Sequence, residues 1–66
     1  MKVLVNGESN EVGDDITVLA LLAGLGLEGK RVAVAVNRDV VIRAEHGRRV
    51  LQDGDRIEIV QAVQGG

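Results

Sequence analysis

Apolar residues recur along the chain with two different periods, and the switches between them mark the elements. Lys2-Val3-Leu4-Val5 is a short β-rich run, and Asn6-Gly7 after it is a strong hairpin signal, since both residue types accept positive φ. Glu8 to Val12 supplies the return strand. Gly13-Asp14-Asp15 breaks it, and Thr17 is placed to cap a helix starting at Val18, with Asp14 and Asp15 near its positive end. The helix runs through Val18-Leu19-Ala20-Leu21-Leu22-Ala23, and the glycines at 24 and 26 stop it. Its apolar residues lie nearly all round, which predicts more than one covered face.

Val32-Ala33-Val34-Ala35-Val36 is β-branched at every second position. That predicts an interior strand with a large-residue face and a small-residue face. Asn37-Arg38-Asp39 turns the chain into a further strand, Val40-Val41-Ile42. Ala44 to Val50 has no clear period and reads as a loop with one helical turn. Asp53-Gly54-Asp55 is another turn, and in Arg56-Ile57-Glu58-Ile59-Val60 the isoleucines point one way and the charges the other. The order β-β-α-β-β-β predicts an α+β fold. A right-handed crossover carries the single helix, which packs one layer against a mixed sheet. That is the β-grasp, or ubiquitin-like, arrangement. Residues 1–61 form the domain and residues 62–66 a flexible C-terminal tail.

Composition narrows the function. A chain of 66 residues buries only about 60% of the surface its unfolded form exposes. With no cysteine, disulfides and thiol chemistry are excluded, and aliphatic packing must hold the domain with a margin of about 3–5 kcal/mol. A net charge of −2 with interleaved signs and no aromatic residue argues against nucleic-acid binding. No apolar run approaches the roughly 18 residues of a membrane span, and Met1-Lys2 leads into a strand rather than a signal peptide. A cytoplasmic protein is the expectation.

Candidate chemistry is sparse. Gly24-Leu25-Gly26-Leu27-Glu28-Gly29 matches G-x-G-x-x-G, but a dinucleotide site needs that motif after a strand and before a helix. Here the order is reversed, so the glycines are a helix stop. His46 is the sole histidine; with only Glu45 beside it in sequence, it reads as an exposed loop residue rather than an acid–base catalyst. Asp53 and Asp55 are too few oxygens for a calcium loop and suit a turn. Arg48-Arg49 reads as a solvated charged stretch. No metal site is expected, and the chain is poorly equipped to be an enzyme.

The end of the sequence is more informative. Two closing glycines arise by chance in about 2% of chains of this glycine content. A carboxylate becomes a reactive acyl donor once adenylated, and to be adenylated it must reach into another protein's nucleotide site. A side-chain-free end can thread a narrow channel, because glycine has no Cβ and accepts most backbone angles.

At this point the sequence resembles the family of thiamine-biosynthesis sulfur carriers, ThiS. The resemblance is carried by Val5-Asn6-Gly7-Glu8, Val34-Ala35-Val36-Asn37, the stretch Leu51-Gln52-Asp53-Gly54-Asp55-Arg56-Ile57-Glu58-Ile59-Val60, and the closing Val63-Gln64-Gly65-Gly66. It implies that an adenylating enzyme related to ubiquitin activators, using ATP and magnesium, converts the Gly66 carboxylate to an acyl-adenylate. Sulfur drawn through a cysteine desulfurase or another donor then leaves a thiocarboxylate on Gly66. Thiazole synthase takes that sulfur into the thiazole half of thiamine. The resemblance assigns Gly65 to threading the tail and Ala62 and Val63 to partner grooves. No cofactor is bound by the chain itself, and a monomer is expected.

Strand alternation adds that Val3, Val5, Val34, Val36, Ile57 and Ile59 face the helix, leaving Leu4, Ala33, Ala35 and Val60 on the reverse face. An apolar strip there is expected to dock partners, against the plainer reading of scattered surface aliphatics. Members of the family often carry a bulky or aromatic residue around Ala44–Arg49 or before the tail; this chain has none.

Rival readings share parts of this pattern. The molybdopterin-synthase small subunit carries the same terminal chemistry, but it is usually longer and often has a Pro-Pro pair before its tail, where this chain has Gln61-Ala62. Sulfur carriers of other pathways look much alike. A ubiquitin-like protein modifier would form conjugates with lysines, and a β-grasp binding module would have no use for a free end.

Overall fold

The computed structural model describes residues 1–61. Five strands and one helix follow the predicted order: β1 (Lys2–Val5), β2 (Glu8–Glu11), α1 (Val18–Gly24), β3 (Val32–Val36), β4 (Asp39–Val41) and β5 (Arg56–Gln61). A 3-10 turn at Arg43–Glu45 lies between the last two strands. The strands form one mixed sheet in the order β2-β1-β5-β3-β4. Only the central β1–β5 pair is parallel. This is the β-grasp topology.

Both hairpins turn through two residues with positive φ. Asn6 (50°) and Gly7 (84°) join β1 to β2, while Asn37 (52°) and Arg38 (68°) join β3 to β4. Paired positive φ matches the right-handed twist of the flanking strands. Asn and Gly adopt it readily; Arg38 does so against its Cβ.

Alternation sorts the sheet into two faces. Val3, Val5, Val34, Val36, Val41, Ile57 and Ile59 are buried on one face, beneath Val18, Leu21 and Leu22 of α1, with Leu51 completing the core. Every core residue is aliphatic, so packing of these side chains is the main favourable term. All six strand residues expected to face the helix do so.

The first intrahelical bond of α1 forms, and the three N–H groups of its first turn that have no intrahelical partner are satisfied from outside the helix ladder. Leu21 donates to the Thr17 carbonyl and Ala20 to Thr17 Oγ1, as a capping residue should arrange. Val18 and Leu19 donate to the carbonyls of Arg49 and His46, at 2.9 and 2.8 Å. The segment after β4 is therefore folded against the helix N-terminus. At the other end, Leu27 donates to the Leu22 carbonyl and Gly26 to that of Ala23, with Gly26 at φ 75°. This is a Schellman stop, so the apparent phosphate motif terminates a helix.

Two expectations are overturned. The helix covers the sheet with one face only: Ala20 and Ala23 are exposed and Leu19 is 46% exposed. A seven-residue helix on a single sheet has one layer to bury against, and the small alanines leave little apolar area to hide on the other side. His46 is the second correction. It is 5% exposed, with Nε2 donating to the Val41 carbonyl at 3.1 Å. Its backbone carbonyl is held by Leu19, and that attachment turns the ring inward. Among the described residues no helix is long and apolar enough to cross a membrane.

Candidate functional site

Residues 62–66 continue from β5, so the strand that carries them is the natural place to begin. β5 lies between β1 and β3 and pairs with β3 from Val36↔Ile57 through Val32↔Gln61. It is thus held by a neighbour up to its last residue. Ala62, Val63, Gly65 and Gly66, named from the sequence as tail and reactive positions, lie outside the described residues.

Two asparagines fasten β5 further. The strand pairing of β1 with β5 ends at Val5↔Ile57, yet the contact continues through a side chain. Asn6 Oδ1 accepts from the Ile59 N–H at 2.8 Å, and its Nδ2 donates to the Ile59 carbonyl at 3.1 Å. The amide acts as one more rung of the ladder. On the other side, Asn37 Oδ1 accepts from the Arg56 N–H at 3.0 Å, and the Asn37 N–H donates to the Arg56 carbonyl at 2.7 Å. Asn37 Nδ2 in turn donates to Asp55. Asp55 also accepts from the Gln52 N–H, and Asp53 from the Lys2 N–H, each at 2.8 Å. The Asp-Gly-Asp stretch is spent on turn geometry and on anchoring β5, not on a cation.

The reverse face is the second feature. Ala33 stands opposite Val60, and Ala35 opposite Glu58 and Val40. Val60 is 64% exposed and Val40 71%. Three of the four predicted residues, Ala33, Ala35 and Val60, therefore share one patch. Leu4 stands apart from it. It is half-buried on the far side of β5, opposite Arg56, and that position lies four residues, about 13 Å along the strand, from Val60. Leu4 lines a separate shallow hollow with Asn6, Gly7 and Arg56.

Val40 escaped the sequence reading because Val40-Val41-Ile42 is a continuous apolar run, with no alternation to assign faces. Arg31 and Arg43 escaped too. They border a hollow floored by Ala33 and Val60, with Val32 also in its lining, and only the fold brings the two arginines to one place.

No group of three or more His, Cys, Asp or Glu side chains assembles a metal site among the described residues. What the described residues bring together is a firmly held strand, β5, with an apolar patch beside its end. The ThiS family model matches residues 3–66.

The chain belongs to the ThiS family. The sulfur carrier protein ThiS of Escherichia coli is 32% identical over 66 residues, all of both chains. The crystal structure of the thiamine biosynthesis protein ThiS from Geobacter metallireducens superposes with a TM-score of 0.83 at 30% identity, covering all of both chains. A thiazole synthase of Paramagnetospirillum magneticum is 38% identical over 66 residues, all of this chain but 20% of that protein. The chain spans about a fifth of the length of the curated thiazole synthases it matches. ThiS membership agrees with the sequence resemblance, and the β-grasp match agrees with the strand order.

Proposed function

We propose that this protein is the sulfur carrier of thiazole formation in thiamine biosynthesis, a protein co-substrate rather than an enzyme, with Gly66 as its working residue. The observation that carries the reading is a family match running through residue 66, and so including Gly65-Gly66. A carboxylate oxygen of Gly66 attacks the α-phosphate of ATP in a magnesium-dependent adenylating partner, expelling pyrophosphate. A sulfur nucleophile, supplied through a cysteine desulfurase or an equivalent donor, then displaces AMP and leaves a thiocarboxylate. Activation of this kind makes a poor acyl donor reactive. Gly65 keeps the approach to the partner's nucleotide site free of a Cβ, and Ala62 and Val63 fill its apolar groove.

Thiazole synthase is the recipient; relatives bearing that name contain a segment similar to this whole chain. Ala33, Ala35 and Val60 on the reverse face dock these partners, with Leu4 contributing from its separate hollow on β1. The carrier works as a cytoplasmic monomer between encounters.

Intact mass tests the reading. Incubated with ATP, magnesium, a sulfide source and its adenylating partner, the protein should gain about 16 Da as oxygen is exchanged for sulfur. Deleting Gly66 should abolish the gain, and His46→Ala should retain it in the folded fraction. An equal gain after truncation refutes the assignment. Rescue of a thiamine auxotroph, but not of a molybdopterin-deficient strain, should identify the pathway.

A further inference from the structure

The hollow bordered by Arg31 and Arg43 brings charge and apolar surface together beside the last residues of β5. Both arginines are exposed. Among the described residues the only side-chain ion pair formed by an arginine is Arg49 with Asp39, at 3.3 Å, so neither guanidinium is neutralised by the domain. The imbalance is regional: residues 1–29 hold one basic and five acidic side chains, residues 30–61 seven basic and five acidic.

The floor of the hollow says what kind of anion fits. Ala33 and Val60 present hydrocarbon, while Val32, next to them in the lining, packs its side chain against the core. β3 and β5 are paired from Val32↔Gln61 onward, so the floor is part of the ladder rather than a loop with its amides turned outward. A phosphate site is usually built from such free N–H groups, at a helix start or a nest. Two guanidinium forks over an aliphatic floor suit instead a protein surface that offers carboxylates beside apolar side chains.

We infer that Arg31 and Arg43 recognise an acidic, partly apolar surface of the adenylating partner and set the carrier's approach to it. The inference deepens the sulfur-carrier reading and rests on it. Charges at the margin of an interface act mainly on encounter and register, so their effect falls on carrier concentration and not on the chemical step.

The test is steady-state thiocarboxylate formation, followed by intact mass, with carrier, ATP and ionic strength varied separately. Arg31→Glu with Arg43→Glu should raise the KM for carrier about tenfold or more while kcat stays within about twofold, and should flatten the salt dependence seen with the unaltered protein. Arg31→Lys with Arg43→Lys should recover much of the loss. Lys2→Glu, a charge reversal of the same kind on β1, should leave KM unchanged. An unchanged KM for the arginine double variant at low salt overturns the inference, as does a rise in KM for ATP instead of carrier, which would place a phosphate in the hollow. Since both arginines are exposed, thermal melts of the double variants should match the parent, and single Arg→Gln variants give the same readout with a smaller charge change. Should the unaltered protein itself fail to gain sulfur, the carrier reading falls, and this inference with it; sulfur gain with equal KM values overturns the inference alone.

Discussion

At Asn6 the backbone turns through φ 50° while the side-chain amide exchanges two hydrogen bonds with Ile59. Few residues serve both needs, since left-handed φ disfavours most side chains and the rung requires a donor and an acceptor on one short stem. The two contributions can be separated. Asn6→Gly relieves the backbone and removes only the bonds, each worth about 0.5–1.5 kcal/mol net; Asn6→Ala removes the bonds and adds strain. Urea unfolding should therefore rank the parent above Asn6→Gly and Asn6→Gly above Asn6→Ala, with the glycine variant losing about 1–3 kcal/mol. Equal stability of parent and glycine variant would show that the rung contributes no more than the backbone relief glycine brings. His46 shows the opposite degree of legibility. Its neighbours Glu45, Gly47 and Arg48 are exposed, so nothing local distinguishes a ring that is buried by Leu19 holding its carbonyl and Val41 accepting from Nε2.

Strands and helix were readable because each carries its own signal: alternation in Val32–Val36, the Asn6-Gly7 turn, Thr17 as cap and Gly26 as stop. The segment from Arg43 to Val50 was not, because its partners are distant. It is fastened to the helix start through Val18 and Leu19, and Thr17 bridges Val50. The candidate patch was legible for a similar reason and to a similar extent: alternation named Ala33, Ala35 and Val60, but strand order was needed to add Val40 and to move Leu4 away. One element still carries visible strain. Arg38 sits at φ 68° in a turn that favours glycine there. Left-handed φ costs a non-glycine residue about 1 kcal/mol or more, whereas glycine's extra freedom in the unfolded chain returns roughly 0.4–1 kcal/mol of that. Arg38→Gly should thus be neutral to stabilising by less than about 1 kcal/mol, a small upward step in melting temperature. A clear loss would mean that the Arg38 side chain supports the hairpin in some other way.

Taken whole, the molecule hides apolar surface on one side of its sheet and guards the edges. Edge strand β2 is Glu-Ser-Asn-Glu, and edge strand β4 has three residues opening on Asp39; short, charged edges discourage pairing with other chains. Against that economy, Val40 and Val60, exposed beside Ala33 and Ala35, are a departure, and the proposed docking of partners on this face is what would account for them. The face and the helix side can be told apart by matched substitutions. Val60→Lys places a charge on the reverse face at an exposed position, so the fold should survive with a change of at most about 1 kcal/mol. Leu25→Lys does the same at an exposed leucine beyond the helix, on the covered side of the sheet. If docking uses the reverse face, Val60→Lys should lower thiocarboxylate formation about tenfold at subsaturating carrier, the effect of losing roughly 1.4 kcal/mol at an interface. Leu25→Lys should leave the rate near that of the parent. Equal rates for both variants would return Val60 to the class of ordinary surface aliphatics, and equal losses would show that surface charge anywhere impedes the encounter.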